Sequence, residues 1–348
     1  MKISNIEISN HNQPFIIAEM SGNHDQSIDK AFRIIESAHK AGAHAIKLQT
    51  YTADSITLNV NKGEFVINDN NSLWNGETLY ELYRKAHTPW DWHDKLFKKA
   101  SELGIICFSS PFSEEAVDFL EELNTPAYKI ASFENFHLPL IKKVALTKKP
   151  IIISSGLASL SELNKSIEII KKYGSGDFAV LKCTSSYPAN PKNSNILSIP
   201  HMRKLFNCEI GLSDHTLGIG ASIAAISHGA SIIEKHFTID RSEGGVDSAF
   251  SLNPLELNSL VVESKRAWES LGSVKYGPTK DEENSLIFRR SIYIAEDISK
   301  GEKLTNKNLK IVRPSLGLSP RYFNTLLNKK VIKDVKKGTP FNWDLVIK

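Results

Sequence analysis

The sequence is short of the features that most often settle a protein's class. Cysteine is scarce: Cys107, Cys183 and Cys208 are the three in 348 residues, each in an apolar run and without paired spacing. A disulfide framework and a cysteine-built zinc site are thereby excluded, and a reducing compartment is expected. No apolar run approaches the roughly 20 residues needed to span a bilayer. The opening MKISNIEISNHNQPF lacks the apolar stretch of a secretion signal. The expectation is a cytoplasmic protein without a membrane segment. Charge of one sign is also scarce, at a net +4 spread along the chain, so no nucleic-acid footprint is expected. Anionic small substrates need only local positive charge and stay open. The remaining composition, 41% hydrophobic and 24% charged, is that of an ordinary globular protein.

What is present is a regular alternation. Short apolar runs that end in polar residues occur at Phe15–Met20, Ala45–Tyr51, Ile105–Ser110, Ala127–Ser132, Ile151–Gly156, Ala179–Ser185, Glu209–Asp214 and Ser231–Phe237. Amphipathic segments separate them, and Pro254–Leu271 follows the last. Eight strands, each followed by a helix, predict a (β/α)8 TIM barrel over residues 1–278; an open doubly wound sheet is the alternative. The interval Thr52–Pro89 exceeds an ordinary connection and reads as a binding loop or lid. A charged linker at 279–284 leads to residues 285–348, a small, mostly β module with matching D-x-x-K-G turns at Asp297–Gly301 and Asp334–Gly338.

Active sites of such barrels lie at the C-terminal ends of the strands. The organising stretch is Gly211–Asp240, a strand–helix–strand unit with Ser213-Asp214-His215 at one strand end and Glu234-Lys235-His236 at the next. Parallel neighbours bring His215 and His236 to one mouth, where two imidazoles suit a divalent ion. The other ends offer Glu19, Lys47, Gln49, Ser109, Ser110, Lys129, Ser132, Glu134, Ser154 and Tyr187, with Asp247 after the last strand. Lysines among serine hydroxyls suit a phosphate. Glu19, Asp214, Glu234 and Asp247 offer acid–base groups or partners for the histidines. Anion cradle, metal and base together suggest carbon–carbon bond formation between a phosphorylated three-carbon unit and an aldehyde. A Schiff-base aldolase using Lys47, Lys129 or Lys235 competes with that reading. A third reading is an inactive barrel whose β module binds a partner.

At these residues the chain resembles the sialic acid synthase family. The motifs are FIIAE at Phe15–Glu19 with Gly22-Asn23-His24, AHAIKLQT at Ala43–Thr50, YKIASFE at Tyr128–Glu134 and ISSG at Ile153–Gly156. They continue with CTSSYP at Cys183–Pro188, GLSDHT at Gly211–Thr216 and EKHF at Glu234–Phe237. The tail, with Arg289-Arg290-Ser291 and Arg313-Pro314, resembles the family's antifreeze-like (SAF) module. The chain departs from the family at Thr184-Ser185-Ser186, where members often carry Asn before the Tyr-Pro pair. The resemblance implies a transferase that condenses phosphoenolpyruvate with an open-chain acetamido sugar, releasing phosphate by C–O cleavage.

Loop motifs (AEMSGNH at Ala18–His24, YTADSIT at Tyr51–Thr57, LYELY at Leu79–Tyr83 and TPWDWH at Thr88–His93) resemble members whose acceptor is 2,4-diacetamido-2,4,6-trideoxy-L-altrose. N-acetylmannosamine and the legionaminic acid precursor are the alternative acceptors. On that resemblance His215 and His236 hold Mn²⁺ or Mg²⁺, with Co²⁺ a third choice. Glu19 and Lys129 join them in catalysis, Glu19 at the metal-side water. Lys47, Gln49, Ser109, Ser110, Lys129, Ser132, Ser154 and Ser213 contact phosphoenolpyruvate. Glu134, Tyr187, Asp247 and Arg313 contact the sugar, Arg313 from the partner chain of a domain-swapped homodimer.

Overall fold

Each of the eight apolar runs becomes a stave of a closed parallel barrel. In the computed structural model, which describes residues 1–70 and 72–347, these are β1 (Phe15–Glu19), β2 (Ala45–Thr50), β3 (Ile106–Pro111) and β4 (Tyr128–Ile130). They continue as β5 (Ile151–Ser154), β6 (Phe178–Cys183), β7 (Glu209–Ser213) and β8 (Ile232–His236). Neighbours in sequence are neighbours in the sheet, and β8 closes on β1 with Ile232 opposite Phe15 and His236 opposite Glu19.

Both faces of these strands are covered, so they read as unbroken apolar runs, but the period of two still sorts the side chains. Ile152 packs inside the barrel with Phe15, Ile17, Phe108 and Ile232, while Ile151 and Ile153 join the layer between strands and helices. Burying each such isoleucine is worth about 1.5–3 kcal/mol. The first residues close the barrel's N-terminal end. Strands Lys2–Ile3 and Ile6–Glu7 pair antiparallel and send Ile3 and Ile8 into the inner cluster. Helix starts follow from local chemistry: Ser159 and Asn253 each make a reciprocal capping box with the glutamate three residues on.

Element bounds differ from the sequence reading where polar residues intervene. β4 is only Tyr128–Ile130, because the chain turns at Ser132–Glu134 into a 3-10 helix. The helix of the strand–helix–strand unit between β7 and β8 is Gly220–Ser227. The interval 52–89 is not bare loop: it carries helices at Ala53–Ile56 and Leu79–Ala86.

The chain divides at Gly272/Ser273 into two compact units. In the second, an exposed 3-10 run at Lys280–Phe288 occupies the stretch read as a linker. Strands β9 (Ser291–Ile294) and β10 (Leu309–Val312) pair antiparallel over a core that includes Ile292, Leu304, Leu309, Val331 and Phe341. The two D-x-x-K-G turns bind each other. The Lys300 N–H donates to Asp334 Oδ1 at 2.7 Å, and the Lys337 N–H donates to Asp297 Oδ1 at 2.9 Å.

Candidate active site

Polar residues replace apolar ones at the last inward positions of the staves, and a cavity of about 560 Å³ opens above them. Its floor brings together Glu19, Lys47, Gln49, Lys129, Ser154, Ser213, Glu234, His215 and His236. Lys47 Nζ lies 2.6 Å from Glu19 Oε2 and 3.9 Å from Glu234 Oε2, and donates to Ser110 Oγ at 3.2 Å. Lys129 Nζ donates to Ser154 Oγ at 2.7 Å and lies 3.6 Å from Glu234 Oε1, which also accepts from Ser213 Oγ at 3.1 Å. Gln49 holds Glu19 Oε1 at 2.8 Å.

These ammonium and carboxylate groups are almost wholly buried, so their charges depend on one another. Burial alone would raise Glu234, but Lys129 and Lys47 together bring it down to about 2. Burial raises Glu19 against the pull of Lys47. Glu134, buried with a weaker pull from Lys129, is pushed up to about 7.

The histidines stand on one side of this floor, ring centres 5.4 Å apart, with Tyr187 4.5 Å from the His215 ring. His215 Nδ1 is 2.9 Å from the Thr184 carbonyl, and His236 Nδ1 is 3.4 Å from Asp247 Oδ2. Asp247 in turn accepts a hydrogen bond from Ser21. A carbonyl on Nδ1 is the arrangement that orients Nε2 toward a metal; it holds for His215, whereas the buried His236 Nδ1 has Asp247 nearby but no hydrogen-bond partner among the described residues. With metal–nitrogen distances of ~2.1 Å, two imidazoles sharing an ion would have ring centres about 4.6–5.3 Å apart. The observed 5.4 Å lies just above that range. Among the described residues no group of three His, Cys, Asp or Glu converges as a metal cage, so the two imidazoles are the donors this corner offers.

Other expected residues fall differently. Ser132, Glu134, Tyr187 and Asp247 line the cavity. Ser110 points inward beneath Lys47. Ser109 does not face the cavity: on the outer side of β3, it hydrogen-bonds Thr50, which bonds His93. Nor does Lys235, whose ammonium is held by Asp214 Oδ2 and the carbonyls of Thr216 and Gly218. Asp214 is its outward partner and no acid–base group of the site. Arg313 is exposed on the second unit.

Two residues, Glu234 on the floor and Cys183 buried behind it, escaped specific assignment. Glu234 sits between both lysines, and period-two alternation from His236 would have placed it there. Cys183 lies 3.1 Å from Ser132 Oγ and 4.0 Å from His215 Nδ1. Burial would raise its thiol, but His215 and Ser132 bring it down to about 6. Gly156 keeps this corner open: a Cβ there would come within 2.2 Å of Ser185 Oγ and 2.8 Å of Ser132 Oγ.

The barrel and its strand-end residues match known proteins. Residues 34–276 match the NeuB family and residues 289–347 the SAF domain. The chain belongs to the NeuB family. Relatives within reach of its full length include the pseudaminic acid synthase of Campylobacter jejuni, 44% identical over 96% of this chain and 97% of that protein. The pseudaminic acid synthase of Helicobacter pylori is 43% identical over 95% of this chain and 97% of its own. Among solved structures, the N-acetylneuraminic acid synthetase of Leptospira borgpetersenii in complex with citrate superposes with a TM-score of 0.72. It is 32% identical, over 82% of this chain and 94% of that one. The family assignment therefore rests on nearly the whole chain. Among the described residues no helix is long and apolar enough to cross a membrane.

Proposed function

We propose that the protein condenses phosphoenolpyruvate with 2,4-diacetamido-2,4,6-trideoxy-L-altrose to give pseudaminic acid and phosphate. The relatives at 43–44% identity over nearly full length, both pseudaminic acid synthases, carry the choice of acceptor. The observation that supports the chemistry is the juxtaposition of Lys47, Lys129 and the strand-end hydroxyls with two imidazoles in one cavity. Lys129, Ser154 and Ser213 supply donors for an anion, and Lys47 adds a second cation. Carbon 3 of phosphoenolpyruvate attacks the sugar's aldehyde carbon, water adds at carbon 2, and phosphate leaves with cleavage of its bond to that carbon.

Glu19, held by Gln49 and Lys47, is the group that takes the water's proton. His215 and His236 would hold the divalent ion, Mn²⁺ or Mg²⁺ with Co²⁺ a third choice, which supplies polarisation of the aldehyde oxygen. Two lysines against Glu19 and Glu234 leave the floor close to neutral. An ion at the histidines would add the positive charge that a phosphoenolpyruvate anion needs. Glu134, Tyr187 and Asp247 contact the sugar. Arg313 contributes from a second copy in a homodimer, and a cytoplasmic location follows from the use of phosphoenolpyruvate.

The test is phosphate release from phosphoenolpyruvate with the altrose, N-acetylmannosamine and the legionaminic acid precursor, each with Mn²⁺ and with EDTA. Release with the altrose and metal alone is expected. Release with N-acetylmannosamine would move the acceptor assignment, and undiminished turnover in EDTA would overturn the role of the histidines. Mixing Arg313→Ala with His236→Ala chains should restore partial activity; no recovery rejects the contribution from a second copy.

A further inference from the structure

The cavity has two unlike halves. Opposite the charged floor stands a wall drawn from the 52–89 interval: Ile56, Ile67, Trp74, Leu79, Leu82 and Tyr83. The helix Leu79–Ala86 shows why it is apolar. Thr78 caps it through the Glu81 N–H, and Leu79, Leu82, Tyr83 and Ala86 recur at i, i+3, i+4 and i+7, all lining the cavity. Arg84 and Lys85 point the other way, in ion pairs with Glu81 and Glu77. The apolar face of such a helix ordinarily covers a core. This one faces a space that a ligand can fill.

The wall is anchored rather than loosely draped. Gln26 Nε2 donates to the Lys85 and His87 carbonyls at 2.9 and 2.6 Å. Ala86 sits against Gly22, where a Cβ would come within 3.1 Å of it. Trp74 Nε1 donates to the Val246 carbonyl at 3.1 Å and its ring lies 6.2 Å from that of Tyr187. A sugar hydroxyl pressed against these side chains loses water and finds few partners, whereas a methyl gains.

We propose that this wall selects the acceptor by its methyl groups, receiving the deoxygenated carbon 6 and the acetamido methyls and disfavouring a hydroxyl at carbon 6. The proposal rests on the reading that the cavity binds an open-chain acetamido sugar. It does not depend on which one. Apolar surfaces reject an added hydroxyl only modestly, so the preference is roughly 10- to 100-fold in kcat/KM.

The test takes whichever acceptor releases phosphate fastest and pairs it with its counterpart differing only in hydrogen or hydroxyl at carbon 6. The ratio of the two kcat/KM values is unaffected by the fraction of enzyme that is folded. The 6-deoxy sugar should be favoured in the wild type. In Ile67→Asn and Leu79→Asn, both at half-buried positions, the ratio should fall about tenfold while KM for phosphoenolpyruvate stays unchanged. Leu79→Met should keep the wild-type ratio. A wild-type ratio near one, or a ratio unmoved in both asparagine variants, overturns the proposal with the reaction assignment intact. Phosphate release with no sugar at all defeats the reaction assignment and the wall's role with it.

Discussion

Asp214 and Glu234 are both buried carboxylates at barrel strand ends, each beside a lysine, and they are built to opposite ends. Asp214 is saturated. Its Oδ1 accepts from the Thr216 N–H and hydroxyl at 2.9 and 2.7 Å, and its Oδ2 from Ser222 and Lys235 at 2.6 and 3.1 Å. Lys235 likewise spends all three donors on Asp214 and two carbonyls. Among the described residues Glu234, next to Lys235 on the other face of β8, has only Ser213 as a hydrogen-bond donor, and its Oε2 has none. Its lysines stand 3.6 and 3.9 Å off. A saturated pair fixes the fold; an undersatisfied cluster facing a cavity keeps capacity for a ligand.

That contrast can be broken in order of size. Lys47→Met removes a floor cation and should lower phosphate release by roughly 10²–10³-fold at saturating acceptor. Asp214→Ala strands the Lys235 ammonium and should cost about 3–5 kcal/mol in urea unfolding, with turnover per folded molecule near wild type. Converting Asp214 and Lys235 together to Leu and Met should recover most of that loss.

Glu134 gives a pH signature. Burial holds its carboxyl at about 7, against an ordinary 4.5. The folded chain therefore keeps a proton that the unfolded chain releases. The associated stability is complete below 4.5 and is lost as pH rises toward 7. Glu134→Gln lacks this loss, so its advantage over wild type should grow by about 2–3 kcal/mol between roughly pH 5 and pH 8 in denaturant titrations. The smallest effect belongs to Ser109→Ala. It should cost about 1 kcal/mol and leave KM for phosphoenolpyruvate unchanged, whereas Ser154→Ala should raise that KM.

The barrel was legible because each stave is an apolar run buried on both faces and ended by polar residues. The site was legible only as a set of strand ends. Where two polar residues adjoin, as at Ser109-Ser110 or Glu234-Lys235, sequence does not say which one faces the axis. A shift of one residue exchanges the faces, and the hydrogen-bond partners settle it. The helix Leu79–Ala86 was obscured for another reason. Its apolar stripe is only two turns long and meets a cavity rather than a core, so the interval looked like an extended loop.

The most direct measurement compares Lys129→Met with Lys235→Met, matched substitutions of two buried lysines on opposite faces of the barrel wall. Acceptor-dependent phosphate release, normalised to folded protein, is the readout. Lys129→Met is expected to lose roughly 10²–10³-fold, while Lys235→Met loses stability and keeps its turnover. A folded but inactive Lys235→Met beside an active Lys129→Met would contradict the account and return the chemistry to a lysine nucleophile on the outer face.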